Sequence, residues 1–218
     1  MNTKADAQKK DPFLADIEEI RRRTLEHIEK AAATLDYKGN TKTVLPVLNE
    51  ALATELVCVL RCYERQPSMV RGHHSLSIRA AAEFLGHAAA EQSHADQIAE
   101  RIRQLNGEPN LSPDGILTRS HSEYEEGKTL LHMLREDLRA EHIIIESYSE
   151  IIRYLGDNDP ASKRVMEGIL ADEEEYAADM NFLLKTISKE EKQREHQGRR
   201  AWSGPAAPAR TAMPNSYR

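Results

Sequence analysis

Aromatic residues and cysteines are scarce in this sequence of 218 residues. It has one tryptophan, seven tyrosines and three phenylalanines, while charged residues make up 30% of the chain. This balance is typical of long amphipathic helices and argues against a sandwich of short strands. The two cysteines, Cys58 and Cys62, lie one turn apart in a predicted helix. A disulfide between them would distort that helix, so a disulfide scaffold is excluded.

Long hydrophobic runs and a glycine-rich phosphate loop are also missing. No segment approaches the roughly 18 apolar residues of a membrane helix, and residues 1–10 lack the apolar core of a signal peptide. We therefore expect a cytoplasmic protein without membrane contact. Residues 192–218 carry six basic side chains and one acidic side chain, which leaves a net charge of −11 on residues 1–191. An acidic folded part argues against a nucleic-acid-binding core.

Apolar residues recur every three or four positions, which predicts an all-α chain of five helices. The first helix, over about residues 12–35, belongs to an N-terminal extension that covers residues 1–40. The other four form one domain, residues 41–191, and span about residues 42–66, 75–106, 122–155 and 160–189. Glycine, proline and alanine replace the apolar period in residues 192–218. We expect these residues to form a disordered basic tail.

The connection between the second and third helices of the domain is about 16 residues long. It can span at most about 53 Å when extended, whereas a helix of 30 residues is about 45 Å long. The connection can therefore cross the full height of a helical bundle. Because the other two links are short, the sequence predicts a four-helix bundle with one long crossover.

One carboxylate lies inside the apolar stripe of each predicted bundle helix: Glu55, Glu91, Glu141 and Glu173. Buried together they would repel one another and cost several kcal/mol each to desolvate, so they need cations. Four negative charges match two divalent ions, and His94, three residues after Glu91, adds an imidazole. Carboxylate and imidazole ligands suit iron or manganese. The alternative is that some of these glutamates lie at the edge of the stripe and reach solvent.

Five segments of the domain resemble the bacterioferritins. In order along the chain they are NEALATELV at 49–57, HAD followed by ERI at 94–102, GEPNL at 107–111, DLRAE at 137–141 and ILADEE at 169–174. The resemblance implies a ferritin-like four-helix protein that assembles into a homo-oligomeric hollow shell. It also implies that the protein oxidises Fe(II) with O₂ at a di-iron centre and stores the ferric product.

The resemblance also implies roles for the four glutamates and the histidine. Glu55 and His94 would be terminal ligands of one iron, and Glu141 would be a terminal ligand of the other. Glu91 and Glu173 would bridge the two ions. At most two iron ions per subunit are expected, and these five residues would form the ferroxidase centre.

The sequence departs from the bacterioferritin pattern at three positions. Tyr176 replaces the histidine expected three residues after Glu173, so the second iron is expected to lack its imidazole and to bind more weakly, with the Tyr176 phenol as a poor substitute ligand. Gln92 replaces the haem-ligating methionine, so no methionine-ligated haem is expected. Cys62 stands where the family usually has a tyrosine. His87, one turn before Glu91, has two interpretations: a hydrogen-bonded core histidine, which is favoured, or a receiver of transiting iron.

Three functions remain open from the sequence. The leading hypothesis is a ferroxidase and iron-storage subunit. The second is a DNA-protecting shell of the mini-ferritin kind, with a weakened metal site and weak DNA contact through the basic tail. The third is a helical interaction module in which the four glutamates are structural.

Overall fold

The computed structural model describes residues 39–70, 75–122 and 129–202, and no strand occurs in these ranges. The helices are α1 (Thr41–Val70), α2 (Ser75–Gln104), α3 (Ile116–Arg119), α4 (Leu130–Leu155) and α5 (Pro160–Trp202). The helix predicted over residues 12–35 and the last part of the predicted tail, residues 203–218, lie outside the described residues.

Four long helices form a bundle with one crossover. Helix α1 packs along α2 and α4 packs along α5, while α2 contacts α5 and α1 contacts α4. The α1–α2 and α4–α5 links are short, whereas residues 105–129 connect α2 to α4 and include α3, which packs on α1. The predicted all-α ferritin-like bundle with a single long crossover is therefore confirmed.

Local capping explains where several of the helices begin and end. The Asn40 side chain accepts a hydrogen bond from the Lys42 backbone N–H at 3.1 Å, and Asp159 accepts one from Ser162 at 3.0 Å. Both are N-cap contacts that satisfy first-turn donors. Just after the C-terminal end of α2, Asn106 adopts a left-handed conformation with φ 58°. This conformation ends the helix.

Three predicted boundaries are wrong. Helix α1 continues past Pro67 to Val70, because a proline this close to a helix end disturbs only the last turn. Helix α4 begins at Leu130 rather than near Ser122, since extended Thr129 caps it by accepting from the His132 N–H. Helix α5 continues to Trp202, so residues 192–202 do not belong to a disordered tail. Lys, Gln, Arg and Glu dominate that stretch, and they are good helix formers.

The expectation that no segment is apolar enough to cross a membrane is also wrong. The segment Thr41–Arg65 of α1 has the length and the apolar composition of a membrane helix, yet 56% of its 18-residue apolar window is buried inside the bundle. Its buried face carries Glu55 and Arg61. Helix α1 is therefore a core helix of the bundle.

Two apolar clusters fill the core, one on each side of the charged residues. The first includes Leu52, Ile98 and Tyr148, and the second includes Phe84 and Leu134. The predicted glutamates lie between these clusters, at mid-height of the bundle. The apolar clusters keep this polar layer away from bulk water.

Candidate metal centre

The five predicted ligands converge inside the bundle, and all five are buried. Together with His87 they form two groups in which the candidate ligand atoms lie within 4.8 Å of one another. The first group is Glu55, Glu91, His94 and Glu173, and the second is His87, Glu91, Glu141 and Glu173. Glu91 and Glu173 belong to both groups. The arrangement brings together two adjacent groups of ligand atoms that share two carboxylates, and each group could hold a metal ion.

His94 lies in the first group with its two ring nitrogens in different surroundings. Its Nδ1 is 3.1 Å from Glu173 Oε1 and 3.5 Å from Glu55 Oε2. Its Nε2 is 3.2 Å from Oδ2 of Asp172, a residue at the surface. Once Nδ1 has lost its proton, a hydrogen bond from Nε2–H to Asp172 leaves the Nδ1 lone pair available to a metal ion, which is the tautomer that a metal ligand needs.

His87 occupies the corresponding place in the second group. Its Nε2 is 2.6 Å from Glu91 Oε1 and 3.5 Å from Glu141 Oε1. The imidazole ring stacks on Tyr176, with 3.2 Å between ring centroids and 4° between the planes. The Tyr176 hydroxyl donates a hydrogen bond to Asp137 Oδ2 at 3.0 Å. The hydroxyl of Tyr176, a predicted candidate ligand, is thus engaged by Asp137.

Two arginines of α1 lie beside the second group, and sequence reasoning missed both: Arg61 contacts Glu141 of the group, and Arg65 contacts the neighbouring Asp137. Arg61 is fully buried and donates to Glu141 Oε1 at 2.9 Å and to Ser122 Oγ at 2.6 Å. Its Nε lies 3.3 Å from Asp137 Oδ1, and Arg65 donates to the same oxygen at 3.0 Å. The guanidinium groups therefore offset the charges of Asp137 and Glu141.

Asp137 was also missed, although it followed a detectable pattern. It lies four residues before Glu141, just as His87, which the sequence did single out, lies four residues before Glu91. Residues four apart share a helix face, so Asp137 could have been placed beside the predicted ligands. Arg61 gave no such signal, because its partners lie on another helix.

Burial and mutual repulsion shift the pKa values of the carboxylates. Burial, and then the charge of Glu91, raises the pKa of Glu55 well above its ordinary value. The same two causes raise the pKa of Glu173 to about 8. Burial would also raise the pKa of Glu91, but the charge of His87 and the close contacts of Glu91 with its neighbours outweigh burial and hold that pKa below the usual range. The metal-free centre therefore retains protons at neutral pH.

Both histidines respond to the surrounding negative charge. Burial would lower the pKa of His94, but its contacts with Glu173 and Glu55 raise that pKa strongly. Burial would also lower the pKa of His87, but the charges of Glu91 and Glu141 outweigh burial and raise that pKa. In the metal-free protein the protonated histidines therefore supply positive charge that partly neutralises the carboxylates, as a metal cation would.

Unpartnered polar atoms show that the residues fit metal ions. Among the described residues, every member of the two groups has a buried nitrogen or oxygen without a hydrogen-bond partner: Glu55 Oε2, both oxygens of Glu91 and Glu173, Glu141 Oε2, His87 Nε2 and His94 Nδ1. Buried polar atoms in folded proteins are normally satisfied. A divalent cation at each position would satisfy them with a ligand set suited to iron.

A cavity of about 290 Å³ connects this centre to the surface. Its lining includes the buried residues His87, His94 and Glu173 and further acidic residues such as Asp172 and Asp179. The cavity lies between α2 and α5. Its negative charge favours cations over anions near the centre.

A family profile described as "Ferritin-like domain" matches residues 45–189, which is well over half of the chain. The chain belongs to the ferritin-like family. The profile covers both groups of the centre and most of each of the four bundle helices. Arg61 and Arg65 also lie within it.

This ferritin-like chain is similar to curated bacterioferritins. The bacterioferritin of Mycobacterium tuberculosis is 28% identical over 148 residues, which cover 67% of this chain and 86% of that protein. The bacterioferritin of Desulfovibrio desulfuricans is 28% identical over 138 residues, which cover 61% and 69%. The predicted resemblance to bacterioferritins is confirmed.

Solved structures support the same assignment. The bacterioferritin BfrA of Mycobacterium tuberculosis aligns with a TM-score of 0.60 and 27% identity, covering 70% of this chain and 89% of that one. A dodecameric thioferritin from Bacteroides fragilis aligns with a TM-score of 0.68 and 24% identity, covering 76% and 98%. At that identity the second comparison shows the fold alone.

Proposed function

We propose that this ferritin-like protein binds Fe(II) at the two positions of the centre, oxidises it with O₂ and sequesters the ferric product. The observation that supports the proposal best is the pair of overlapping ligand groups that share Glu91 and Glu173. Every member of the groups has at least one buried atom that lacks a hydrogen-bond partner among the residues that the structure describes. A purely structural role for the glutamates would leave these atoms unsatisfied.

Each residue has a defined part in this proposal. Glu55 and His94 hold iron at the first position, Glu141 holds it at the second, and Glu91 and Glu173 contact both ions. Oxidation to Fe(III) adds positive charge, which the carboxylate oxygens stabilise. Fe(II) binding displaces the protons that the metal-free centre holds, and the acidic cavity concentrates Fe(II) near it.

The proposal extends to assembly. A dodecameric thioferritin shares the fold of this chain, and curated bacterioferritins are similar to it in sequence. We propose that this chain forms a homo-oligomeric shell in the cytoplasm that encloses the ferric product. Size-exclusion chromatography with light scattering tests the assembly, and a monomer at micromolar concentration would contradict it.

Oxygen consumption tests the proposed reaction. Metal-free protein, mixed anaerobically with two Fe(II) per subunit and then exposed to dissolved O₂, is expected to consume O₂ faster than Fe(II) in the same buffer. The visible absorbance of ferric iron should rise at the same rate and remain in solution with the protein. Consumption no faster than in protein-free buffer would contradict the proposal.

Glu173 predicts a pH-dependent stability of the metal-free protein. Its pKa is about 8 in the folded chain and near 4.5 otherwise, so the folded state binds more protons between these values. The Glu173 contribution to stability therefore falls as pH rises from about 4.5 to 8, by at most ~1.4 kcal/mol per pH unit.

Thermal melts of chelator-treated protein between pH 5 and 8 measure this effect. Wild-type protein should lose more stability over the interval than the Glu173→Gln variant, whose side chain does not titrate. Equal slopes for the two proteins would show that Glu173 does not titrate in this range.

Gln92 predicts the absence of one type of haem site. It is exposed on α2 and its amide donates to Asp96 at 3.1 Å. An amide does not replace a methionine thioether as an axial ligand. Protein purified from haem-supplemented cells is expected to show no stoichiometric Soret band, and a stoichiometric band would contradict this prediction.

The DNA-protecting alternative depends on the basic tail and stays a prediction. Four of the six basic residues of the tail, Lys192, Arg194, Arg199 and Arg200, belong to helix α5. Salt-sensitive retardation of DNA that disappears when residues 192–218 are deleted would support weak contact. Retardation that survives the deletion would show that the tail is not responsible.

A further inference from the structure

We propose that His87 is the imidazole ligand of the second metal position, and that Tyr176 is the residue that positions it. The inference rests on the proposed function in one respect, since it assumes that the centre takes divalent metal ions. It replaces the expectation that the second position lacks an imidazole. The imidazole comes from α2 instead of α5.

The position of Nε2 supports a ligand role for His87. This atom lies 2.6 Å from Glu91 Oε1 and 3.5 Å from Glu141 Oε1, and it belongs to the group whose ligand atoms all lie within 4.8 Å of one another. Despite the short distance, Nε2 and Glu91 Oε1 do not form a hydrogen bond of normal geometry. A core histidine held by hydrogen bonds would have a partner at this atom. Two ligand atoms this close together, Nε2 of His87 and Oε1 of Glu91, are placed to coordinate the same ion.

Tyr176 and Asp137 hold the ring of His87 in this orientation. The phenol ring lies parallel to the imidazole at a centroid distance of 3.2 Å. Its hydroxyl donates to Asp137, which also accepts from Arg65. The stack and its anchor are therefore fixed before any metal arrives, and such preorganisation strengthens metal binding.

The surroundings of Glu141 predict that the second position binds metal more weakly than the first. Arg61 donates to Glu141 Oε1, whereas Oε2 of the same carboxylate has no hydrogen-bond partner within the described part of the chain. One oxygen of Glu141 and part of its charge are thus already engaged by a cation. Glu55, its counterpart at the first position, accepts from the neutral Tyr148 hydroxyl instead.

A metal titration of the full-length protein tests the assignment without depending on oxidation. Chelator-treated protein is titrated anaerobically with Co(II), and visible absorption and calorimetry report the number of ions bound. Wild type is expected to bind two Co(II) per subunit in two steps. The His87→Phe variant retains a ring for the stack but lacks the nitrogen, and it is expected to bind one. The His142→Phe control changes an exposed histidine on α4 and is expected to bind two.

A second set of variants separates a ligand role from a packing role. The double variant His87→Phe/Tyr176→His supplies an imidazole from α5 and is expected to recover the second Co(II). The Tyr176→Leu variant removes the stacked ring and should weaken only the second step, by about 10–100-fold. If His87→Phe is poorly folded by circular dichroism, the His87→Gln variant provides the same comparison.

The outcomes distinguish this inference from the proposed function. Two Co(II) bound by a folded His87→Phe or His87→Gln variant with wild-type affinities would overturn the assignment, as would a wild type that binds a single Co(II). The first result leaves the proposed function intact, because oxygen consumption by wild type tests that function separately. The second result would also contradict the two metal positions of the proposed function. If the titrations follow expectation but wild type does not consume O₂ with Fe(II), the ligand assignment stands and the proposed function fails.

Discussion

Glutamine in place of Glu91 is expected to abolish tight metal binding at both positions and to lower the Fe(II) oxidation rate by at least about 100-fold. Glu91 is fully buried, belongs to both ligand groups, and has two oxygens without hydrogen-bond partners. A neutral amide keeps the size of the side chain but removes the charge and one acceptor. Anaerobic Co(II) titration and oxygen uptake with Fe(II) measure the two effects.

An exposed glutamate provides the matched control for this variant. Glu146 lies at the surface of α4, away from both groups, and the Glu146→Gln variant should bind metal and oxidise Fe(II) as wild type does. A folded Glu91→Gln protein that still binds two ions tightly would show that Glu91 is not shared between the two positions. The account of the centre would then be wrong.

Methionine in place of Arg61 is expected to lower the free energy of unfolding of the metal-free protein by about 3–5 kcal/mol. Arg61 is fully buried, donates to Glu141 at 2.9 Å and lies 3.3 Å from Asp137. Removing it leaves these buried carboxylates without a major source of compensating charge, while methionine fills much of the same volume. Urea denaturation in the presence of a chelator measures the loss.

Two further variants test the cause of this destabilisation. Arg153 has a side chain that is 66% exposed and pairs with exposed Glu150, so Arg153→Met should change stability by less than about 1 kcal/mol. Adding Asp137→Asn to Arg61→Met removes one uncompensated charge and should recover part of the loss. A loss below about 1 kcal/mol for Arg61→Met itself would show that the arginine does not stabilise the centre.

Apolar periodicity predicted the bundle well, because long helices bury one stripe of residues whatever their partners are. The stripe of α2 that contains Glu91, from Phe84 to Ile102, is buried throughout. The stripe of α4 is less regular, because Ile144 and Ile151 are buried whereas the neighbouring Ile145 and Ile152 are half-buried. Helix α4 contacts both α1 and α5, so its buried stripe is wider than one sequence period specifies.

The centre was predicted in part for a related reason. The carboxylates and His94 interrupt apolar stripes of their own helices, so the sequence alone marks them. Arg61 forms ion pairs with Asp137 and Glu141 of another helix, and a single sequence does not show which residues meet in space. A buried arginine is rare unless it is paired. The sequence alone did not show that Arg61 has partners on α4.

Anomalous diffraction from crystals of this protein soaked anaerobically in Fe(II) tests whether two iron ions bind at the positions that share Glu91 and Glu173. Data collected on both sides of the iron absorption edge locate iron and distinguish it from other metals. The account predicts two iron peaks about 3.5–4 Å apart, both in contact with Glu91 and Glu173, one beside His94 and a weaker one beside His87. Fully soaked crystals with no iron peak among these carboxylates would contradict it.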